Sequence, residues 1–257
     1  MQKEEIKTRE STVMEGMQSI RSVIAGNESG VNDRKIEEIL VDRERAGALS
    51  KELGWLSHVG ERLGFSIRVC DGGEIDALAL GRSHGGILAR CSERTIPPLD
   101  VSEIKDHGFY VMIEGIEDPY NFGYALRSLY AAGVDAIILD ERNWMSAAGV
   151  VARSSAGASE LFPLFTAKPT EAANCFKSRG YTIVCADLDT PHTLEETEIR
   201  FPVFLVVGGE RRGISRALLD RADLKVKISY GRDFRASLSA ASAATILAYE
   251  IFRQNRK

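Results

Sequence analysis

The stretch from Phe109 to Leu139 constrains the fold more than any other. Phe109 to Ile113 reads as an apolar strand. Phe122 to Ala132 carries apolar residues at helical spacing and stops at Gly133, and Ala136 to Leu139 is a second apolar strand. A strand, a helix and a strand in that order form a βαβ unit, which implies parallel strands. More strands are expected at Phe162 to Phe165, Thr182 to Cys185, Val203 to Val207 and Val226 to Ile228. A short helix is expected at Ala217 to Asp220 and a long terminal one from about Ser237 to Gln254. The fold class is α/β.

The preceding residues read as a smaller α/β layer structure. Val13, Met17, Ile20 and Ile24 recur at three- and four-residue steps and predict a helix over Ser11 to Ala25, closed by Gly26-Asn27. A strand at Ile36 to Val41, a helix at Arg45 to Leu63, a strand at Phe65 to Val69, a turn at Asp71-Gly72-Gly73 and a last strand at Ile87 to Cys91 follow. Residues 92–107 are polar and hold the Pro97-Pro98 pair, as a linker would. The expected division is residues 1–91, a linker at 92–107, and a second unit over 108–257.

A chain of 257 residues suits one large or two small domains, and 44% hydrophobic with 27% charged residues is ordinary for a globular protein. Met1 to Gln18 is charged and polar without an apolar core, so no secretory signal is expected, and no apolar run would span a bilayer. The expected location is the cytoplasm. Cys70, Cys91, Cys175 and Cys185 form no Cys-x-x-Cys pair and are expected as buried free thiols; no His, Cys or carboxylate cluster has metal-ligand spacing. A net charge of −4 argues against a general nucleic-acid coat but leaves room for a local basic groove. Arg211, Arg212 and Arg216, then Arg232 and Arg235, then Arg253, Arg256 and Lys257 are candidate patches, each equally explained as a solvated face.

Three segments of the second unit carry candidate chemistry. In Asp118-Pro119-Tyr120-Asn121-Phe122-Gly123-Tyr124-Ala125-Leu126-Arg127, Asn121 is placed to cap the helix, and Arg127 lies beside its apolar face. A plain cap and a surface arginine explain that segment alone. In Val206-Val207-Gly208-Gly209-Glu210-Arg211-Arg212-Gly213, an apolar strand runs into paired glycines, which lets a ligand approach bare backbone; a tight turn would use the same residues. It has neither a P-loop's Gly-Lys-Ser/Thr nor a dinucleotide Gly-x-Gly-x-x-Gly. In the third, Ile228-Ser229-Tyr230-Gly231 leads to Ser237-Leu238-Ser239 and a helix thinned by Ala240, Ala241, Ala243, Ala244 and Ala248, a composition that helix propensity alone would also favour.

Together these residues resemble the SpoU/TrmH family of the SPOUT superfamily. The family pattern has Asn and Arg in its first motif, a strand followed by Gly-x-Glu-x-x-Gly in its second, and Ser-Leu-Asn before an alanine-rich helix in its third. Asn121 and Arg127, then Gly208, Glu210 and Gly213, then Ser237 and Leu238 match in that order. Arg153-Ser154-Ser155-Ala156-Gly157-Ala158 resembles the Ser-Ala-Gly-Ala segment between the first two. The first unit resembles, more loosely, the L30e-like substrate-recognition domain that precedes many members, with Gly81 to Ala89 and its His84 in place of a His-Gln-Gly segment. Two positions depart from the pattern: Ser239 stands where Asn is usual, and Ser229 where proline is common.

The resemblance implies a second unit threaded into a deep trefoil knot, a rare exception to the unknotted rule. It implies an S-adenosylmethionine pocket held by Gly208, Gly209, Glu210, Ile228, Ser237 and Leu238, and an RNA ribose 2′-hydroxyl as methyl acceptor. Arg127, Asn121, Glu210, Ser237 and Ser239 would serve the reaction, and Arg127, Arg153, Arg211 and His84 would face RNA. Ribosomal RNA is expected, transfer RNA being the alternative. A homodimer through the catalytic domain is expected, with Leu126, Leu129, Tyr130, Ile251 and Phe252 at its surface, and cofactor binding without metal. The competing readings are a non-catalytic RNA-binding member of the same fold, which Ser239 favours, a plain nucleotide-binding α/β enzyme, and a ribosome-associated module.

Overall fold

The computed structural model describes residues 12–81, 84–140 and 147–256. The expectations placed on Met1 to Ser11, on Arg82 and Ser83 and on Lys257 lie outside them. The chain forms two compact units, and each is discontinuous in sequence: residues 1–95 with 143–161, and residues 96–142 with 162–257.

In the first unit, β1 (Val13–Glu15), β2 (Ile36–Asp42), β3 (Ser66–Cys70) and β4 (Ile87–Cys91) make a sheet of order β1-β4-β2-β3. Only the β2–β3 pair is parallel. Helices α1 (Gly16–Glu28), α2 (Ser50–Leu63) and α3 (Gly72–Leu78) alternate with these strands. Met14, Ile20, Val23, Ile24, Ile39, Val41, Leu56, Val59, Ile87 and Ala89 form its core. The helix begins later than its periodicity predicts. Val13 belongs to β1, where pairing with Arg90 of β4 decides the backbone, and a non-local ladder outweighs a local pattern.

Two short helices, α5 (Ala148–Ser154) and α6 (Ala158–Leu161), complete this first unit rather than the second. Ala152 joins the first unit's core. Glu160 pairs with Arg34 at 3.0 Å, both almost wholly buried, and its carbonyl accepts from Asn32 Nδ2 at 2.7 Å. Arg94 Nη1 donates to the Ser159 carbonyl at 2.8 Å. A linear division at residues 91 and 108 cannot contain this return, because its cause is burial partners distant in sequence.

The second unit is built on six strands: β5 (Phe109–Glu114), β6 (Ala136–Leu139), β7 (Leu164–Thr166), β8 (Thr182–Ala186), β9 (Val203–Gly208) and β10 (Leu224–Val226). Every pair is parallel, in the order β10-β8-β9-β5-β6-β7. Parallel sheets are covered on both faces, and the strands read accordingly as unbroken apolar runs. Even-numbered Tyr110, Met112, Ile138, Phe204 and Val206 face one core with Phe176 of α7 (Pro169–Ser178) and Leu218 of α8 (Arg216–Leu219). Phe176 stacks on Phe204 with centroids 4.2 Å apart. On the other face, α4 (Pro119–Ala131) packs against α9 (Ala240–Asn255), and α9 against β9.

That packing corrects one expectation. Leu126, Leu129 and Ile251 are wholly buried inside their own chain and are not a partner surface. Tyr130 is exposed and Phe252 half-buried. Large side chains left in solvent on α4 and α9 are Tyr120, Tyr124, Tyr130, Ile246 and Tyr249. Among the described residues no helix is long and apolar enough to cross a membrane.

Candidate active site

Parallel strands all end on one edge of their sheet, and ligands settle beyond those ends where the strand order reverses. Here the order reverses at β5 and β9: the chain lays β6 and β7 on one side of β5, then returns to place β8, β9 and β10 on the other. A cavity of about 280 Å³ opens beyond the ends of β8, β9 and β10. Its wall takes Asp187 and Leu188 after β8, Val207 to Glu210 and Gly213 from the end of β9 onward, Val226 to Ile228 and Tyr230 from the end of β10 onward, and Ser237, Leu238, Ala240 and Ala243 around the start of α9.

The paired glycines are required by the backbone around them. A Cβ on Gly209 would stand 2.3 Å from the Gly115 carbonyl oxygen, and one on Gly208 would meet the Gly213 backbone at 2.5 Å. The loop folds on itself through Gly213 N donating to Gly209 O at 3.1 Å. It is held to β5 by Gly209 N donating to Glu114 O at 2.6 Å and Ser215 N to Glu114 Oε2 at 2.9 Å. Strand, glycines and loop thus present main chain directly to the cavity.

Asn121 and Glu210, far apart in sequence, meet: Asn121 Nδ2 donates to Glu210 Oε1 at 3.0 Å. Asn121 is not the helix cap. Asp118 caps α4, its Oδ1 accepting from Asn121 N at 2.9 Å, and Pro119 follows in the first turn. The Asn121 side chain is thereby left free to reach across to Glu210. The Asp-Pro pair was the available signal, since proline favours the first helical position.

Arg127 is exposed, and its side chain has no hydrogen bond or ion pair among the described residues. It lies six positions after Asn121, about 120° round the helix, so the two do not share a face. Arg211 pairs with Glu117 at 2.9 Å beside the glycine loop. Ser237 is exposed at the cavity rim. Ser239 turns the other way: its Oγ accepts from Ser242 N at 3.2 Å and caps α9. This capping role is one that the sequence reading did not assign to Ser239.

Arg153 and His84 stand in the first unit. Arg153 Nη1 donates to the buried Glu15 at 2.9 Å, and Glu15 also accepts from Leu80 N. That commitment accounts for Arg153 as an ion-pair partner within the fold. His84 Nδ1 accepts from Gly86 N at 3.2 Å and its Nε2 lies 3.2 Å from Asp76. The residues that sequence reading passed over are Asp187 and Leu188, whose signal was a strand ending at the shared sheet edge.

Cys70, Cys91 and Cys185 are buried and Cys175 partly so. Burial pushes the Cys91 and Cys185 thiols up to about 12, so both stay neutral at physiological pH. Among the described residues no three His, Cys, Asp or Glu side chains could hold a metal ion.

Residues 108–249, which contain this whole site, match the model of the SpoU rRNA Methylase family. The chain belongs to the SpoU rRNA Methylase family. As a SpoU member it is an RNA methyltransferase whose cofactor is S-adenosylmethionine. It is 29% identical over 217 residues to the 23S rRNA (guanosine-2′-O-)-methyltransferase RlmB of Shewanella oneidensis, covering 82% of this chain and 87% of that protein. It is 25% identical over 231 residues to YacO of Bacillus subtilis, named as a TrmH family tRNA/rRNA methyltransferase, covering 87% and 90%. In fold it matches the SpoU methyltransferase AviRb from Streptomyces viridochromogenes in complex with AdoMet, with a TM-score of 0.77 and 22% identity over 94% of this chain and 89% of that one.

Proposed function

We propose that the protein methylates a ribose 2′-hydroxyl in ribosomal RNA. The observation that carries this is the cavity at the ends of β8, β9 and β10, bounded by bare main chain and faced by the Asn121–Glu210 pair. Its walls suit the cofactor: Leu188, Val207 and Ile228 offer apolar surface to an adenine ring, while backbone at Gly208, Gly209, Ile228 and Leu238 offers polar groups. Asp187 and Glu210 supply carboxylates for ribose hydroxyls and a sulfonium. When bound, that sulfonium would supply an electrophilic methyl group, with the neutral thioether as the leaving group.

The protein's own part is orientation and charge. Asn121 holds Glu210 in place at the end of the glycine loop. Arg127, through its planar guanidinium, stabilises the alkoxide forming on the ribose or grips the adjoining phosphate. Ser237 lies at the rim where the acceptor enters, and Arg211 offers charge to RNA beside it. The choice of ribosomal over transfer RNA is supported by the RlmB relative, whose match extends over 82% of this chain and so into both units. His84 and its first unit take the substrate-recognition role of an L30e-like domain, supported by the mixed sheet with helices between its strands. The return of the chain from β10 at the sheet edge to α9 over central β9 supports a trefoil knot. Exposed Tyr120, Tyr124, Tyr130, Ile246 and Tyr249 support a homodimer through α4 and α9. The place of work is the cytoplasm, with the RNA.

Two measurements test this. Calorimetry should show S-adenosylmethionine binding that EDTA leaves unchanged. Mapping of 2′-O-methyl groups in total RNA, with and without the gene, should show one or a few ribosomal sites lost. Loss at transfer RNA sites would move the substrate; cofactor binding with no site lost would favour a non-catalytic member.

A further inference from the structure

The loop between Tyr230 and Ser237 has a composition that cofactor binding leaves unused. Both of its ends line the cavity. It is closed at its base, because the Tyr230 hydroxyl accepts from Leu238 N at 3.2 Å. Ser229 Oγ donates to Glu195 at 2.9 Å just before it. Between these anchors Arg232, Asp233, Phe234 and Arg235 all stand in solvent. Phe234 is 56% exposed, and its one ring contact among the described residues is with Tyr230, centroids 6.0 Å apart. Arg232 and Arg235 have no ion pair or hydrogen bond among the described residues.

An exposed phenylalanine between two uncommitted arginines gains nothing from the fold of its own chain. It matches the chemistry that holds single-stranded nucleic acid: aromatic faces take bases by stacking, and guanidinium groups take phosphates. The position matters as much as the composition, since the loop stands at the mouth through which an acceptor ribose must come. We propose that this loop is a substrate clamp, in which Phe234 stacks on a base beside the methylated nucleotide and Arg232 and Arg235 hold the flanking phosphates. The assignment rests on the reading of the chain as an RNA methyltransferase and adds a site that the three family motifs do not contain.

The test uses the full chain and a twelve-nucleotide single-stranded RNA of mixed sequence carrying 2-aminopurine riboside, whose fluorescence falls when the base stacks. Phe234→Ala should weaken RNA binding by about 5- to 100-fold and remove the quench, with cofactor affinity unchanged, and Phe234→Trp should restore both. Replacing Arg232 and Arg235 with Ala should flatten the dependence of log affinity on log salt by about 0.7 for each phosphate no longer neutralised. Unchanged RNA affinity and quench in Phe234→Ala would overturn the clamp while leaving the methyltransferase reading intact. Parallel loss of cofactor affinity would overturn it in favour of a loop that covers the cofactor. Wild-type protein that neither binds nor methylates RNA would overturn both.

Discussion

Arg127 and Asn121 lie on one helix but face different ways, and the difference divides their roles. Asn121 is spent on Glu210, 3.0 Å away, so its work is to position. Arg127 has no such commitment and is available to substrate. Arg127→Ala should therefore lower the single-turnover methylation rate at saturating RNA by about 10²- to 10³-fold, the usual cost of one oxyanion contact. S-adenosylmethionine affinity, measured separately, should hold. Lys keeps the charge but loses the planar fork and should rescue poorly. An arginine that only grips phosphate would give another result: weaker RNA binding, lower salt dependence and full single-turnover rate. The sequence pointed to both residues through their motif, but it assigned the cap to Asn121. Asp118 and Asn121 are both good capping types three residues apart, and only Pro119 separates the two choices.

At the scale of elements, α9 shows why a departure from the family pattern leaves the fold intact. Ser239 is the helix N-cap, and serine and asparagine cap about equally well. Ser239→Asn should leave the melting temperature and cofactor affinity near wild type. Ser239→Ala should cost about 1 kcal/mol in denaturant unfolding, because Ser242 N would have no acceptor in its place. Equal stability of the alanine variant would show that this cap contributes nothing to the fold. Elements whose cause is local were legible: Ala136–Leu139 and the glycine loop stand where an apolar run and paired glycines put them. Elements whose cause is distant were not. β1 is three residues long and exists because β4 pairs with it, and its Val13 also satisfies a helical pattern.

For the molecule as a whole, the exposed stripe on α9 is the feature its own chain does not explain. Tyr249 is 60% exposed and Ile246 40%, beside the tyrosines of α4. Pairing of two copies would cover them. Ile246→Asp with Tyr249→Asp should turn a dimer into a monomer in sedimentation at micromolar concentration, with the fold retained. A wild-type monomer at that concentration would end this reading. Arg127 is exposed on α4 between Tyr124 and Tyr130, so loss of pairing should also reduce methylation while the cofactor still binds. The sequence reading placed a partner surface on these two helices but chose their apolar residues. Leu126, Leu129 and Ile251 are apolar because they fill the chain's own core, and periodicity alone cannot separate an inner face from an outer one.

The Arg34–Glu160 pair also sets a clock. During synthesis the residues up to Thr95 leave the ribosome as a sheet with part of its core missing, since Ala152, Ser159 and Glu160 have not yet been made. At about 5–20 residues per second the segment ending at Leu161 follows roughly 3 to 13 seconds later. Until then Arg34 is a cation without its carboxylate, and the site that Ala152 fills stands open. The first unit of this protein begins to emerge ahead of the second but cannot be finished until the chain has passed through β5, α4 and β6, so a chaperone that binds exposed apolar surface would find its opportunity in that interval.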